Sequence, residues 1–139
     1  MTGAPPLLTV EDLRIGFGTG TRAVEVVHGL SFHVERGETL AIVGESGSGK
    51  SLTCLALLGL LPKPAGRVLG GRARFEGRHD LLALDDADRR RLRGDRIGMV
   101  FQEPMTALNP VVRVETQLVE GLSGVVDAEA DAVAASLED

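Results

Sequence analysis

A glycine-rich loop, Gly44-Glu45-Ser46-Gly47-Ser48-Gly49-Lys50-Ser51, lies between two apolar segments of different character. Before it, Thr39-Leu40-Ala41-Ile42-Val43 is a short continuous apolar run, which predicts a central strand buried on both faces. After it, Ser51 to Leu61 is apolar almost all round and is closed by Pro62 and Pro64, which predicts a helix covered on most sides. A buried strand, a tight glycine turn and a buried helix, in that order, leave few architectures open. They require an α/β core with the strand inside a sheet and the helix packed upon it.

The loop fits G-x-x-x-x-G-K-[ST] without slack, and its residue types follow from what an anion demands of a backbone. Successive N–H groups must turn inward toward negatively charged oxygens, at dihedrals and distances that glycine reaches at least cost. The helix that follows adds its free N-terminal N–H groups and the positive end of its dipole. In this pattern Lys50 reaches the β- and γ-phosphates, and the Ser51 hydroxyl ligates Mg²⁺. The expected ligand is therefore a nucleoside triphosphate with Mg²⁺. A chain with 18 glycines can match part of such a pattern by accident, but this one has only two lysines, Lys50 and Lys63. The motif also stands where its mechanism needs it, between strand and helix.

Elsewhere the chain reads as strands followed by short helices. Leu8 and Val10, then Leu13, Ile15 and Phe17, alternate with polar residues as half-buried strands do. Gly18-Thr19-Gly20 predicts a turn, Ala23 to Val27 a returning strand, and Leu30 to Val34 a third strand. Arg72 to Glu76 alternates like an edge strand, and Ile97, Met99 and Phe101 suggest a second core strand. Asp86 to Arg93 places acid before base, which the helix dipole favours, with Gly94 as a stop. Val114, Leu118 and Leu122 predict a helix starting near Arg113, and Asp127 can cap another.

Composition narrows the classes. A net charge of −5 without a basic face argues against nucleic acid as partner. The single cysteine, Cys54, excludes an internal disulfide and is expected as a small buried hydrophobe. The N-terminus does not read as a secretory signal. The longest apolar stretch, Leu52 to Leu61, falls well short of the roughly 20 residues of a membrane span.

With its internal small residues, Gly44 to Ser51 resembles the loop of ABC transporter ATP-binding subunits. Met99-Val-Phe-Gln-Glu-Pro-Met-Thr-Ala-Leu-Asn-Pro110 is similar to that family's glutamine loop, in the form found in its peptide and nickel import branch. Leu7 to Leu13 and Arg36 to Leu40 fit the same branch, so the resemblance covers nearly the whole chain from Leu7. It implies a P-loop NTPase core with N-terminal antiparallel strands over residues 1–104, and an incomplete helical subdomain over 105–139. It implies ATP and Mg²⁺ as cofactors, contacted by Phe17, Gly44, Glu45, Ser46, Gly47, Ser48, Gly49, Lys50, Ser51, Leu52 and Gln102. Phe17 would stack on adenine. Ser51 and Gln102 would face the metal, and Gln102 would sense the γ-phosphate and a membrane subunit. The implied partners are a second ATP-binding subunit, head to tail, and an integral permease. The implied location is cytoplasmic, on the inner face of the cell membrane.

The chain departs from that family after the glutamine loop. Its Leu-Ser-Gly-Gly-Gln signature, the apolar strand ending in Asp-Glu and the switch histidine are not found; Leu122-Ser123-Gly124 continues as Val125-Val126 and reads as a loop. No catalytic residue is identifiable, and the chain is expected to bind ATP better than it hydrolyses it, as the first half of such a domain. Two alternatives stand beside an importer subunit. One is a non-catalytic remnant that only binds nucleotide. The other is a stand-alone phosphotransferase that uses Asp85 or Asp86 at the end of an apolar strand from Leu81.

Overall fold

A computed structural model gives the fold and describes residues 5–18, 24–93, 95–102 and 108–123. The expected turn at Thr19-Gly20, the stop at Gly94, residues 103–107 of the glutamine-loop block and the helix after Asp127 lie outside the described residues. The chain divides into two compact units, Met1–Arg89 and Arg90–Asp139.

The first unit is built on one antiparallel sheet. β1 (Leu8–Phe17), β2 (Val24–Val34), β3 (Gly66–Phe75) and the two-residue β4 (His79–Asp80) are arranged in the order β2-β1-β3-β4. α1 (Lys50–Leu57) packs on β1 and β3. Val10, Leu13, Ile15, Val27, Ala73, Phe75 and Leu81 form the core, joined by Ala56 and Leu58 from α1 and its end. Full burial of a side chain such as Leu13 or Ile15 contributes about 1.5–3 kcal/mol.

The apolar phase of β1 slips between Val10 and Leu13, and the structure shows why one strand can carry both. Glu11 and Asp12 form a bulge, with register shifts against both neighbours. Asp12 sits at φ 48°, and its N–H donates to Ser31 Oγ at 2.8 Å. Each adjacent strand meets the bulge with a left-handed glycine. A Cβ on Gly29 would come within 2.5 Å of Asp12 Oδ1, and one on Gly71 within 2.6 Å of the Asp12 carbonyl oxygen. Gly29 also lets β2 run on as one strand where the pattern predicts two. On the surface, the Arg14 guanidinium pairs with Asp12 at 3.0 Å and with Glu25 at 3.2 Å. Its hydrogen bond holds the Asp12 carboxyl below the usual aspartate range, and Asp12 in turn raises Arg14.

Several expectations change. Arg72 to Phe75 belongs to β3, which has strands on both sides, so it is not a free edge. Leu81–Ala83 form a turn rather than an acidic strand. Asp85 there caps α2 (Asp86–Leu92), its carboxylate accepting the Asp88 N–H at 2.8 Å, while Asp86 pairs with Arg89. That geometry removes the footing of a phosphotransferase built on Asp85 or Asp86. Cys54 is exposed, because α1 is covered on one face, through Thr53 and Ala56, and Cys54 is on another.

The largest difference concerns the expected core strands. Residues 39–43 form no strand; Leu40 and Ile42 are exposed, and Val43 is 91% exposed. In the second unit Ile97 makes a single bridge to Arg93, and Val100 and Phe101 are exposed. A two-faced strand needs a hydrogen-bonded neighbour on each edge and cover on each face. Among the described residues neither segment has them. The second unit also holds α3 (Val114–Ser123), which takes in Leu122 and Ser123 where a loop is expected. The Gln117 side chain ties its start to the preceding turn, accepting from the Asn109 N–H at 2.7 Å and donating to the Val112 carbonyl at 2.8 Å.

Candidate functional site

Residues 44–49 form a tight loop that turns directly into α1. Gly47 (φ 82°) and Gly49 (φ 89°) both adopt the left-handed conformation. Gly49 is the N-cap of α1 and, lacking a side chain, leaves the first-turn N–H groups without a capping oxygen. A helix start of this kind, with no acidic residue in its first turn, is electropositive. Gly49 is also crowded, and Gly44 lies close to a serine hydroxyl. A Cβ at Gly44 would lie 2.6 Å from Ser48 Oγ, and one at Gly49 would lie 2.7 Å from Val27 Cγ2. At Gly49 a side chain would press on Val27 of β2.

Lys50 folds its ammonium back onto the loop. Nζ donates to the carbonyl oxygens of Gly44 at 2.8 Å and Glu45 at 2.6 Å, and to Ser48 Oγ at 3.2 Å. These contacts hold one positive charge over the loop's concave side. Gly47 to Leu52 line a recess of about 140 Å³ beside it. The charge, the uncapped N–H groups and the glycine-made space together suit a multiply charged oxyanion.

Two supports of the loop were not singled out from sequence. Val27 packs against Gly49 from β2. Thr53, 1% exposed, donates both its N–H, at 2.9 Å, and its hydroxyl, at 3.0 Å, to the Gly49 carbonyl. Its place four residues after the left-handed Gly49 was the available signal, since a threonine hydroxyl commonly bonds back to the i−4 carbonyl.

Phe17 ends β1, 36% exposed, with ring Cε2 3.3 Å from where a Cβ on Gly66 would be. It stands two residues beyond Ile15, whose partner in β2 is Val27. The aromatic ring and the loop thus share one strand pair, separated by about 7 Å of strand. Gln102 is exposed and belongs to the second unit. Among the described residues no group of three or more His, Cys, Asp or Glu side chains converges. A divalent cation at this loop would therefore depend on the Ser51 hydroxyl and on oxygens of its ligand, a donor set that suits Mg²⁺. Among the described residues no helix is long and apolar enough to cross a membrane.

The sequence profile of the ABC transporter family matches residues 27–139. The oligopeptide transport ATP-binding protein OppD of Bacillus subtilis (strain 168) is 49% identical over 116 residues, covering 84% of this chain and 32% of that protein. OppD of Escherichia coli (strain K12) is 50% identical over 119 residues, or 86% of this chain and 34% of that one. The dipeptide transport ATP-binding protein DppD of Bacillus subtilis is 47% identical over 116 residues, at 84% and 34%. The chain spans about a third of the length of these curated relatives.

Proposed function

The chain belongs to the ABC transporter family, and from that premise we propose that it is the nucleotide-binding part of an importer ATP-binding subunit serving peptides or related small solutes. The observation that carries this reading is the left-handed Gly47 and Gly49 opening α1 beneath the Lys50 ammonium. In this reading the amides of Glu45 to Leu52 cradle the phosphates, and Lys50 exchanges its loop carbonyls for phosphate oxygens. Ser51 holds Mg²⁺ together with oxygens of the ligand, and Phe17 stacks on adenine. Mg²⁺ neutralises phosphate charge and orients the β- and γ-oxygens. Residues 1–104 form the binding part and 105–139 begin a helical part. Head-to-tail pairing with a second such subunit, and contact with a permease through the Gln102 region at the inner membrane face, complete the reading.

The apolar segments 39–43 and 97–101 are each largely exposed. Their exposure favours a second reading, a piece that binds nucleotide without turnover. Calorimetry with a non-hydrolysable ATP analogue and Mg²⁺ tests the proposal. Lys50→Ala removes charge-assisted bonds worth about 1.5–3 kcal/mol each, so affinity falls tenfold or more. Undiminished binding by a folded Lys50→Ala chain would refute the assignment of the loop. Steady ATP turnover by the chain alone would eliminate the second reading.

A further inference from the structure

A second recess, of about 200 Å³, lies at the carboxyl end of α1 and shares no lining residue with the loop recess. Ala56, Val68 and Leu82 give it apolar walls; Lys63, Arg67 and Arg89 line it too, and among the described residues no carboxylate does. Lys63 and Arg67 are exposed. Arg89 differs, its side chain only 16% exposed and packed over Gly59, where a Cβ would collide with Cδ, Nε and Cζ. Among the described residues its hydrogen bonds lie at the long limit. Nη1 donates to Asp86 Oδ1 at 3.3 Å, and Nη2 to the carbonyl oxygens of Leu81 at 3.4 Å and Leu82 at 3.5 Å. Among the described residues, buried Nε has no hydrogen-bond partner. A guanidinium whose one ion pair, to Asp86, is long and whose Nε is left over is under-compensated, and an oxyanion beside it would supply a further acceptor.

We propose that this recess binds a small organic anion, a carboxylate or phosphate carried on a short apolar body. Arg89, Lys63 and Arg67 set the sign of the ligand's charge, and Val68 and Leu82 take its apolar part. The site is independent of the nucleotide reading.

The test is an NMR titration of the full 139-residue chain with hexanoate, beside hexanol and inorganic phosphate. Saturable shifts at the amides of Gly59, Gly66, Val68 and Leu82 are expected with hexanoate and not with hexanol, and inorganic phosphate is expected to bind there more weakly. Lys63→Gln and Arg67→Gln, both at exposed positions, should each weaken hexanoate about fivefold, the size of one partly screened charge pair. Arg89→Gln should abolish it, and the exposed-site variants keep the test decisive if that chain does not fold. The proposal is overturned by an absence of saturable shifts up to roughly 10 mM, by hexanol acting equally, by shifts confined to residues 44–52, or by indifference to both exposed-site variants.

Discussion

β1 and residues 39–43 are both rich in branched apolar side chains, yet Leu13 in the first is 0% exposed and Val43 in the second 91%. Their patterns differ, alternating in β1 and continuous in 39–43, and the more continuously apolar one is the exposed one. β1 has an antiparallel neighbour along each edge and α1 against it, and even its bulge is accommodated, by Gly29 and Gly71 in the flanking strands. Residues 39–43 have no strand partner among the described residues. An apolar pattern states that a segment needs cover, and only another part of a chain can provide it.

The sharpest way to break this comparison is to shorten a side chain in each region and compare chemical denaturation midpoints. Leu13→Ala should cost about 2–5 kcal/mol through lost burial and the cavity left behind. Val43→Ser, with almost nothing packed on it, should stay within about 0.5 kcal/mol. Equal losses would mean that residues 39–43 are buried in solution and that the contrast is wrong.

A smaller effect tests the bulge that lets β1 keep its core phase. Gly71→Ala meets both a φ of 102° and the Asp12 carbonyl, so a loss of about 1–3 kcal/mol is expected. The same substitution at Gly98, where a Cβ meets nothing within 4 Å, should be close to neutral. Identical behaviour at the two positions would remove the bulge from the account.

Between the two regions stands the loop, anchored to the ordered side through Thr53 and Val27. Thr53→Val keeps the shape and deletes the hydroxyl donated to the Gly49 carbonyl, at a cost of about 1 kcal/mol. Thr53→Ser should recover most of that cost. A Thr53→Val chain with unchanged stability would show that the sheet holds the loop without this bond.

The smallest effect is electrostatic and confined to the surface of the sheet. The Arg14 hydrogen bond depresses the Asp12 pKa in the folded chain. Its contribution is therefore present above the ordinary aspartate value, about 3.9, and is lost as pH falls through the lower folded value. Asp12→Asn should remove this small contribution at neutral pH, leave stability at low pH unchanged, and so flatten the acid limb of a stability–pH curve slightly. A larger loss at neutral pH would assign Asp12 a role in the bulge beyond its charge.

What could be read in the chain was mostly local. The loop 44–51, a helix after it, the acid-to-base α2 and the start of α3 depend on short-range rules of capping, glycine conformation and periodicity, and all are present within a few residues of their expected places. Misreadings came where the outcome depends on a distant partner. Leu81 to Asp85 has the outline of an apolar strand, but Asp85 is better placed as the cap of α2. Cys54 has apolar neighbours in sequence and still faces outward, because α1 meets the sheet along one side.

The sequence by itself determined which residues can make a left-handed, glycine-lined helix start with a lysine above it, because those preferences act within one or two turns of backbone. It also carried enough family-specific spacing to be matched to its relatives. Tertiary structure alone decided that the Val10–Leu13 slip is a bulge met by glycines in two other strands, that Val27 and Thr53 hold the loop, and that residues 39–43 stay exposed. Those outcomes depend on pairing and cover between segments far apart in the chain, and free energies of that kind are not properties of any single segment.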